Sequence, residues 1–114
     1  MRLINQTKNT ILAEDVLIAN TFFKRIKGLL GEKVFLSNQA IILDPCNSVH
    51  TFFMRFAIDI LFVDKNYRVV KTLPKFTPNR ISCIYWHASR VIELPVGRLS
   101  LTNTQAKDQL QILD

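Results

Sequence analysis

Apolar residues in this chain fall mainly into short runs punctuated by turn formers, which is the rhythm of strands. Ile11-Leu12-Ala13 and Val16-Leu17-Ile18-Ala19 flank the charged pair Glu14-Asp15 and predict two strands with a tight connection. One stretch has a different period. From Thr21 to Leu30 the apolar positions Phe22, Phe23, Ile26, Leu29 and Leu30 recur at three and four, with Lys24, Arg25 and Lys27 between them. With Thr21 as cap and Gly31 as terminator, this predicts an amphipathic helix that docks Phe22, Ile26 and Leu29 on a sheet.

Downstream the two-residue period returns. Ala40 to Leu43 is a short buried run closed by the turn signal Asp44-Pro45. From Ser48 to Asp64 the even positions His50, Phe52, Met54, Phe56, Ile58, Ile60 and Phe62 are largely apolar, while Thr51, Arg55 and Asp59 hold odd positions. That length exceeds an ordinary strand, so two strands with a bend near Ala57 are expected. Asp64-Lys65-Asn66 predicts a hairpin turn into the segment Tyr67 to Leu73, and Pro74 and Pro78 predict a bracketed loop. Ile81 to Tyr85, Arg90 to Leu94 and Gln109 to Leu113 complete the strand-like runs. The spacing points to a mainly β, antiparallel sandwich or barrel with one short amphipathic helix, and to an α+β fold as the alternative.

At 114 residues the chain has the size of one domain, 1–114, with a single core. Its 48% hydrophobic and 21% charged composition is that of a globular protein and excludes disorder. Arg55, Asp59 and Asp64 interrupt the most apolar region, so no membrane-spanning run is present. The first twenty residues lack the apolar core of a secretory signal, and a cytoplasmic location is expected. Two cysteines are too few for a disulfide scaffold and are expected to be thiols.

Those cysteines and the only two histidines form two equal spacings, Cys46-x3-His50 and Cys83-x3-His87, which raises a zinc site. Four extended residues span about 13 Å, too far for one cysteine and one histidine on a strand to share an ion. No metal and no cofactor is therefore expected. Cys46, His50 and Asp59 could also be read as thiol nucleophile, base and orienting acid, although no nucleophile signature accompanies them. Arg55 and Asp59 share a phase inside apolar sequence. They read as the polar floor of a pocket or, preferably, as a partly buried ion pair or a set of hydrogen bonds to loop backbone. Glu93, between Ile92 and Leu94, is either an outward strand carboxylate or an inward partner for an arginine.

Net charge is +6, and residues 65–98 carry seven cations (Lys65, Arg68, Lys71, Lys75, Arg80, Arg90 and Arg98) against Glu93 alone. With Phe76, Tyr85 and Trp86 interleaved, the segment has the ingredients of a weak single-strand nucleic-acid surface, without any RNA-binding motif.

Four groups of residues, in order, resemble a known family: Arg25-x-x-Gly28-Leu29-Leu30-Gly31; Pro45-Cys46-x-x-Val49-His50-Thr51-x-x-Met54-Arg55-Phe56-x-Ile58-Asp59; Phe62-x-Asp64; and Val91-Ile92-Glu93-Leu94-Pro95-x-Gly97. Together they are similar to the prokaryotic family known as domain of unknown function 192, over about residues 20–113. The resemblance implies a small jelly-roll-like β sandwich with one short helix, and no established activity. The chain departs from the family pattern at Ala57, where proline is usual, and at Lys107-Asp108, where Gly-Asp is usual.

These readings converge on a small non-enzymatic β-sandwich module for binding or accessory roles. Its expected ligand or peptide pocket comprises Cys46, His50, Thr51, Met54, Arg55, Asp59 and Glu93, a few polar groups within apolar sequence. The expected partner is a small ligand or an acidic protein or peptide. A thiol-dependent or hydrolytic enzyme using Cys46, His50 and Asp59 is the first alternative, and a weak nucleic-acid binder using residues 65–98 the second.

Overall fold

The short apolar runs resolve into two sheets. A computed structural model describes residues 1–21 and 35–114. Its strands are β1 (Arg2–Asn5), β2 (Thr10–Ala13), β3 (Asp15–Ala19), β4 (Gln39–Leu43), β5 (Ile58–Val63), β6 (Val69–Phe76), β7 (Arg90–Pro95) and β8 (Leu110–Leu113). One short helix, α1 (Arg98–Leu101), follows β7. The helix expected from Thr21 to Leu30 lies, Thr21 apart, outside the described residues.

One sheet has the order β2-β1-β8 and the other β3-β4-β7-β5-β6, so neither closes into a barrel. The protein is mainly β, with two sheets and one short helix among the described residues. All pairings are antiparallel except β3 with β4, which run parallel from Asp15 opposite Gln39 to Ala19 opposite Leu43. Glu14 alone separates β2 from β3, and the chain changes sheets there.

The five-stranded sheet is covered on both faces. Leu61, Val63, Ile92 and Leu94 face a core shared with Leu3, Leu12 and Leu110 of the smaller sheet. On the opposite face Ile58, Ile60, Phe62 and Val91 pack with Met54 and Ala88, and Cys46, Val49 and Tyr85 close over them. Interior strand β5 is buried at every position, as double coverage requires.

Three expectations need correcting. Only β5 forms a strand within residues 48–64, because residues 48–57 form the irregular layer over the sheet, with an isolated bridge from His50 to Ile81. Ile81 to Tyr85 is likewise no strand. Pro74 lies inside β6, where it is tolerated because β6 is a sheet edge and its missing N–H deprives no further neighbour. The Asp64 turn is as expected: its Oδ1 accepts N–H groups from Asn66 (2.8 Å) and Arg68 (3.0 Å) and joins β5 to β6.

Candidate binding site

The seven candidate residues occupy three places around the five-stranded sheet. Asp59 is alone on the side of the shared core, between Ile58 and Ile60, whose side chains point to the other face. It is 1% exposed, and its carboxylate takes three backbone donors. Oδ1 accepts the Lys75 N–H at 2.9 Å, and Oδ2 accepts those of Gly97 at 3.1 Å and Leu99 at 2.9 Å. Arg55 is exposed, so of the two expected arrangements for Asp59 the backbone hydrogen bonds are the one present.

Cys46, Met54 and Glu93 belong to the opposite face. Met54 is buried there with Cys46 packed beside it, and the Cys46 thiol donates to the Ser48 carbonyl at 3.0 Å. Glu93 lies opposite Ile41 of β4 and Ile60 of β5, both members of the same apolar cluster. Burial pushes its carboxyl up to about 7, because a charge there would lose its water among hydrocarbon neighbours.

His50 and Thr51 belong to a two-stranded ribbon laid over that face, and exposed Arg55 follows the turn at its end. Residues 47–51 and 79–85 run antiparallel, joined by Thr51 N–H to Arg80 O (2.8 Å), Asn79 N–H to Thr51 O (3.0 Å), Ser82 N–H to Val49 O (2.8 Å) and Tyr85 N–H to Asn47 O (2.9 Å). Buried Thr51 fastens it further, its hydroxyl donating to the Thr77 carbonyl at 2.7 Å and accepting the Arg80 N–H at 3.0 Å. Tyr85 faces inward, with its ring 4.3 Å from that of Phe62. His50 faces outward, stacked 5.4 Å from Phe52.

At the end of the ribbon the chain turns through residues 51–54, closed by Met54 N–H to Thr51 O at 3.1 Å. The third residue of this turn is Phe53, at φ 67° and 79% exposed. Left-handed backbone there favours glycine or asparagine, and a bulky side chain is strained. Phe52, Ile81 and Ile84 are also exposed on the ribbon, and Trp86 is 79% exposed beyond its opposite end, next to Tyr85 paired with Asn47. The sequence reading missed this apolar group. Phe53 carried the signal for it, as the bulky aromatic on the phase otherwise held by Thr51, Arg55 and Asp59.

The two Cys-x3-His segments lie side by side in the ribbon without converging. His50 is opposite Ile81 rather than Cys83 or His87, and no three metal-ligating side chains cluster among the described residues. Several cations of the basic segment serve the fold. Arg68 donates to Lys107 O, Arg98 donates to the carbonyls of Ile11 and Leu12, and Arg90 pairs with Asp44 at 3.0 Å with its guanidinium over the Tyr67 ring. No helix among the described residues is long and apolar enough to cross a membrane.

Residues 3–112 match the family DUF192, described as uncharacterized ACR. The chain belongs to DUF192. A UPF0127 protein of Thermococcus sibiricus is 35% identical over 95% of this chain and 72% of its own length. Another from Pyrococcus horikoshii is 35% identical over 83% of this chain and 84% of its own. The DUF192 fold is also that of two crystal structures. One, a protein of unknown function from Novosphingobium aromaticivorans, has a TM-score of 0.85 at 16% identity and covers 98% of this chain and 84% of that one. The second is called a putative transcription regulator, from Sinorhizobium meliloti, and has a TM-score of 0.81 at 18% identity over 96% of this chain and 89% of that one. At these identities the likeness is one of fold. Lys107, at the position where the resemblance led a glycine to be expected, has a left-handed backbone at φ 77°.

Proposed function

We propose that residues 1–114 act as a single non-enzymatic binding module whose contact surface is the ribbon of residues 47–53 and 79–86. Phe53 carries this reading. An aromatic side chain held in a left-handed turn and 79% exposed loses free energy twice, through backbone strain and unburied apolar surface, with no gain to the fold. Of the expected pocket residues, Thr51 positions the ribbon, His50 and Arg55 lie on its outer side, and Cys46 and Met54 support it from beneath. Glu93 belongs to the sheet under that support, and Asp59 organises the far side. The thiol-enzyme alternative has less support, because the sheet separates the Asp59 carboxylate from Cys46 and His50 and that carboxylate is already committed to backbone donors.

The test is the stability of ribbon variants. Phe53→Gly should unfold at the same or higher denaturant concentration, with up to about 1 kcal/mol gained from relief of the left-handed conformation. Trp86→Gln should be neutral within about 0.5 kcal/mol. Losses of about 3 kcal/mol, as for core aromatics, would make both residues structural and overturn the reading.

A further inference from the structure

The composition of this ribbon narrows what it can bind, given the reading above that it is a contact surface. Its exposed apolar side chains are both aromatic (Phe52, Phe53, Trp86) and aliphatic (Ile81, Ile84). Isoleucine is no stacking platform for a base, so a nucleic-acid strand would leave Ile81 and Ile84 without a role. A stable protein interface recruits roughly 20–30 residues a side, more than the ribbon of residues 47–53 and 79–86 supplies. A lipid surface has no such requirement, since a few apolar side chains entering the headgroup boundary suffice when cations accompany them. Here they do. Arg55 follows the turn, Arg80 lies on the segment 77–80 to which Thr51 is fastened, with its guanidinium 5.3 Å from the centre of the Phe76 ring, Lys75 lies in β6 two residues before that segment, and all three are exposed. No acidic residue occurs in 45–58 or in 65–92, so nothing in these segments repels an anionic surface.

We propose that the ribbon docks on anionic lipid bilayers, with Phe53 and its apolar neighbours entering the headgroup boundary while Arg55, Lys75 and Arg80 bear on lipid phosphates. The turn at residues 51–54 gives this arrangement its direction. Left-handed backbone at Phe53 turns the chain sharply at the end of the ribbon, and Thr51 anchors that end to residues 77–80. Phe53 thus projects from a turn that hydrogen bonds fasten to residues 77–80, and such fastening lowers the entropic cost of docking.

Trp86, the only tryptophan of the chain, reports on the event directly. Vesicles of phosphatidylcholine and phosphatidylserine in equal parts should shift Trp86 emission to the blue and carry the protein down on sedimentation. Vesicles of phosphatidylcholine alone should do neither, and added salt should weaken the association. Phe53→Gly should lower the partition coefficient roughly tenfold. Arg55→Gln should lower it about fivefold, at unchanged thermal stability. Absence of both signals with the mixed vesicles, or a partition coefficient insensitive to Phe53→Gly, overturns the proposal. So does tighter binding to a single-stranded oligonucleotide than to the vesicles. If lipid binding fails while Phe53→Gly folds as stably as wild type, only the lipid partner is lost. If Phe53→Gly is strongly destabilised, the reading of the ribbon as a contact surface falls with it.

Discussion

The carboxylate of Asp59 and the backbone N–H of Leu99 meet at 2.9 Å although 40 positions separate them in the chain. The same oxygen accepts the Gly97 N–H, and the other accepts that of Lys75 at the far end of β6. The short helix α1 follows Gly97, whose φ of 93° suits a residue without a side chain, and lacks a side-chain cap of its own. A carboxylate inside β5 supplies that cap from a distance, and so ties together β5, β6 and the entry to α1.

Asp59→Asn should therefore cost about 2–4 kcal/mol, because the amide offers one acceptor where two oxygens serve three donors and its Nδ2 confronts buried N–H groups. Exposed Arg55 has no part in this arrangement. In denaturant titrations the effects of Asp59→Asn and Arg55→Met should add within about 0.5 kcal/mol. A larger coupling would show that the two side chains interact after all.

Glu93 should make stability fall with rising pH. Its carboxyl titrates at about 7 in the folded protein against 4.5 ordinarily, so the folded state binds the extra proton between those values. The contribution is fully present below pH 4.5 and is lost as pH rises through 7. The shift corresponds to about 3 kcal/mol between these limits. Glu93→Gln, which stays neutral, should flatten the dependence and be the more stable protein at pH 8. Parallel stability curves for the two proteins between pH 5 and 8 would refute this.

Asn5 and Asp108 should govern the acid limit. Burial alone would raise the Asp108 carboxyl, but hydrogen bonds from the Asn5 amide (2.9 Å) and the Gln105 N–H (3.0 Å), with the Lys8 ammonium, outweigh it and hold the group below its usual range. Its stabilising effect is present above the unfolded value and disappears as pH falls through the depressed one. Asn5 is completely buried and also bonds to Thr104 and to the Lys8 N–H. Asn5→Ala should cost about 2–4 kcal/mol and move the onset of acid unfolding to higher pH, whereas Lys8→Ala should cost under about 1 kcal/mol. Acid titrations followed by circular dichroism would distinguish the two.

Lys107→Gly should stabilise the protein by up to about 1 kcal/mol. Lys107 adopts φ 77°, and what it contributes comes from its backbone: the N–H donates to Val69 O at 2.8 Å and the carbonyl accepts from Arg68 at 2.9 Å. Glycine keeps both bonds and removes the left-handed penalty, offset in part by a more flexible unfolded chain. A lower melting temperature for Lys107→Gly would show that the lysine side chain does more than this.

Much of the strand framework was legible in local pattern. Runs such as Val16-Leu17-Ile18-Ala19 and Arg90 to Leu94 became β3 and β7 nearly as read, and the Asp64 turn followed from its own side-chain chemistry. The alternation from His50 to Phe56 misled. Period two records only that alternate residues have different surroundings, and here one side of the segment meets a sheet while the other meets solvent, with ladder bonds to residues 79–85 that stop at Thr51. In β5 the converse held: with both faces covered, the fully buried strand had little alternation to show beyond Asp59.

By itself the sequence determined that this is a mainly β chain of the DUF192 family, with a basic middle segment and with its scarce polar groups set into apolar surroundings. These are properties of composition and near-neighbour order, which local physics reads directly. Tertiary structure alone decided where those polar groups went. Residues adjacent in the chain, such as Phe53, Met54 and Arg55, were distributed between solvent and core by one turn, and Asp59 found its donors at Lys75, Gly97 and Leu99. A buried carboxylate must be satisfied by whichever N–H groups the fold delivers to it, and long-range strand pairing, which leaves no local mark in the sequence, controls that delivery.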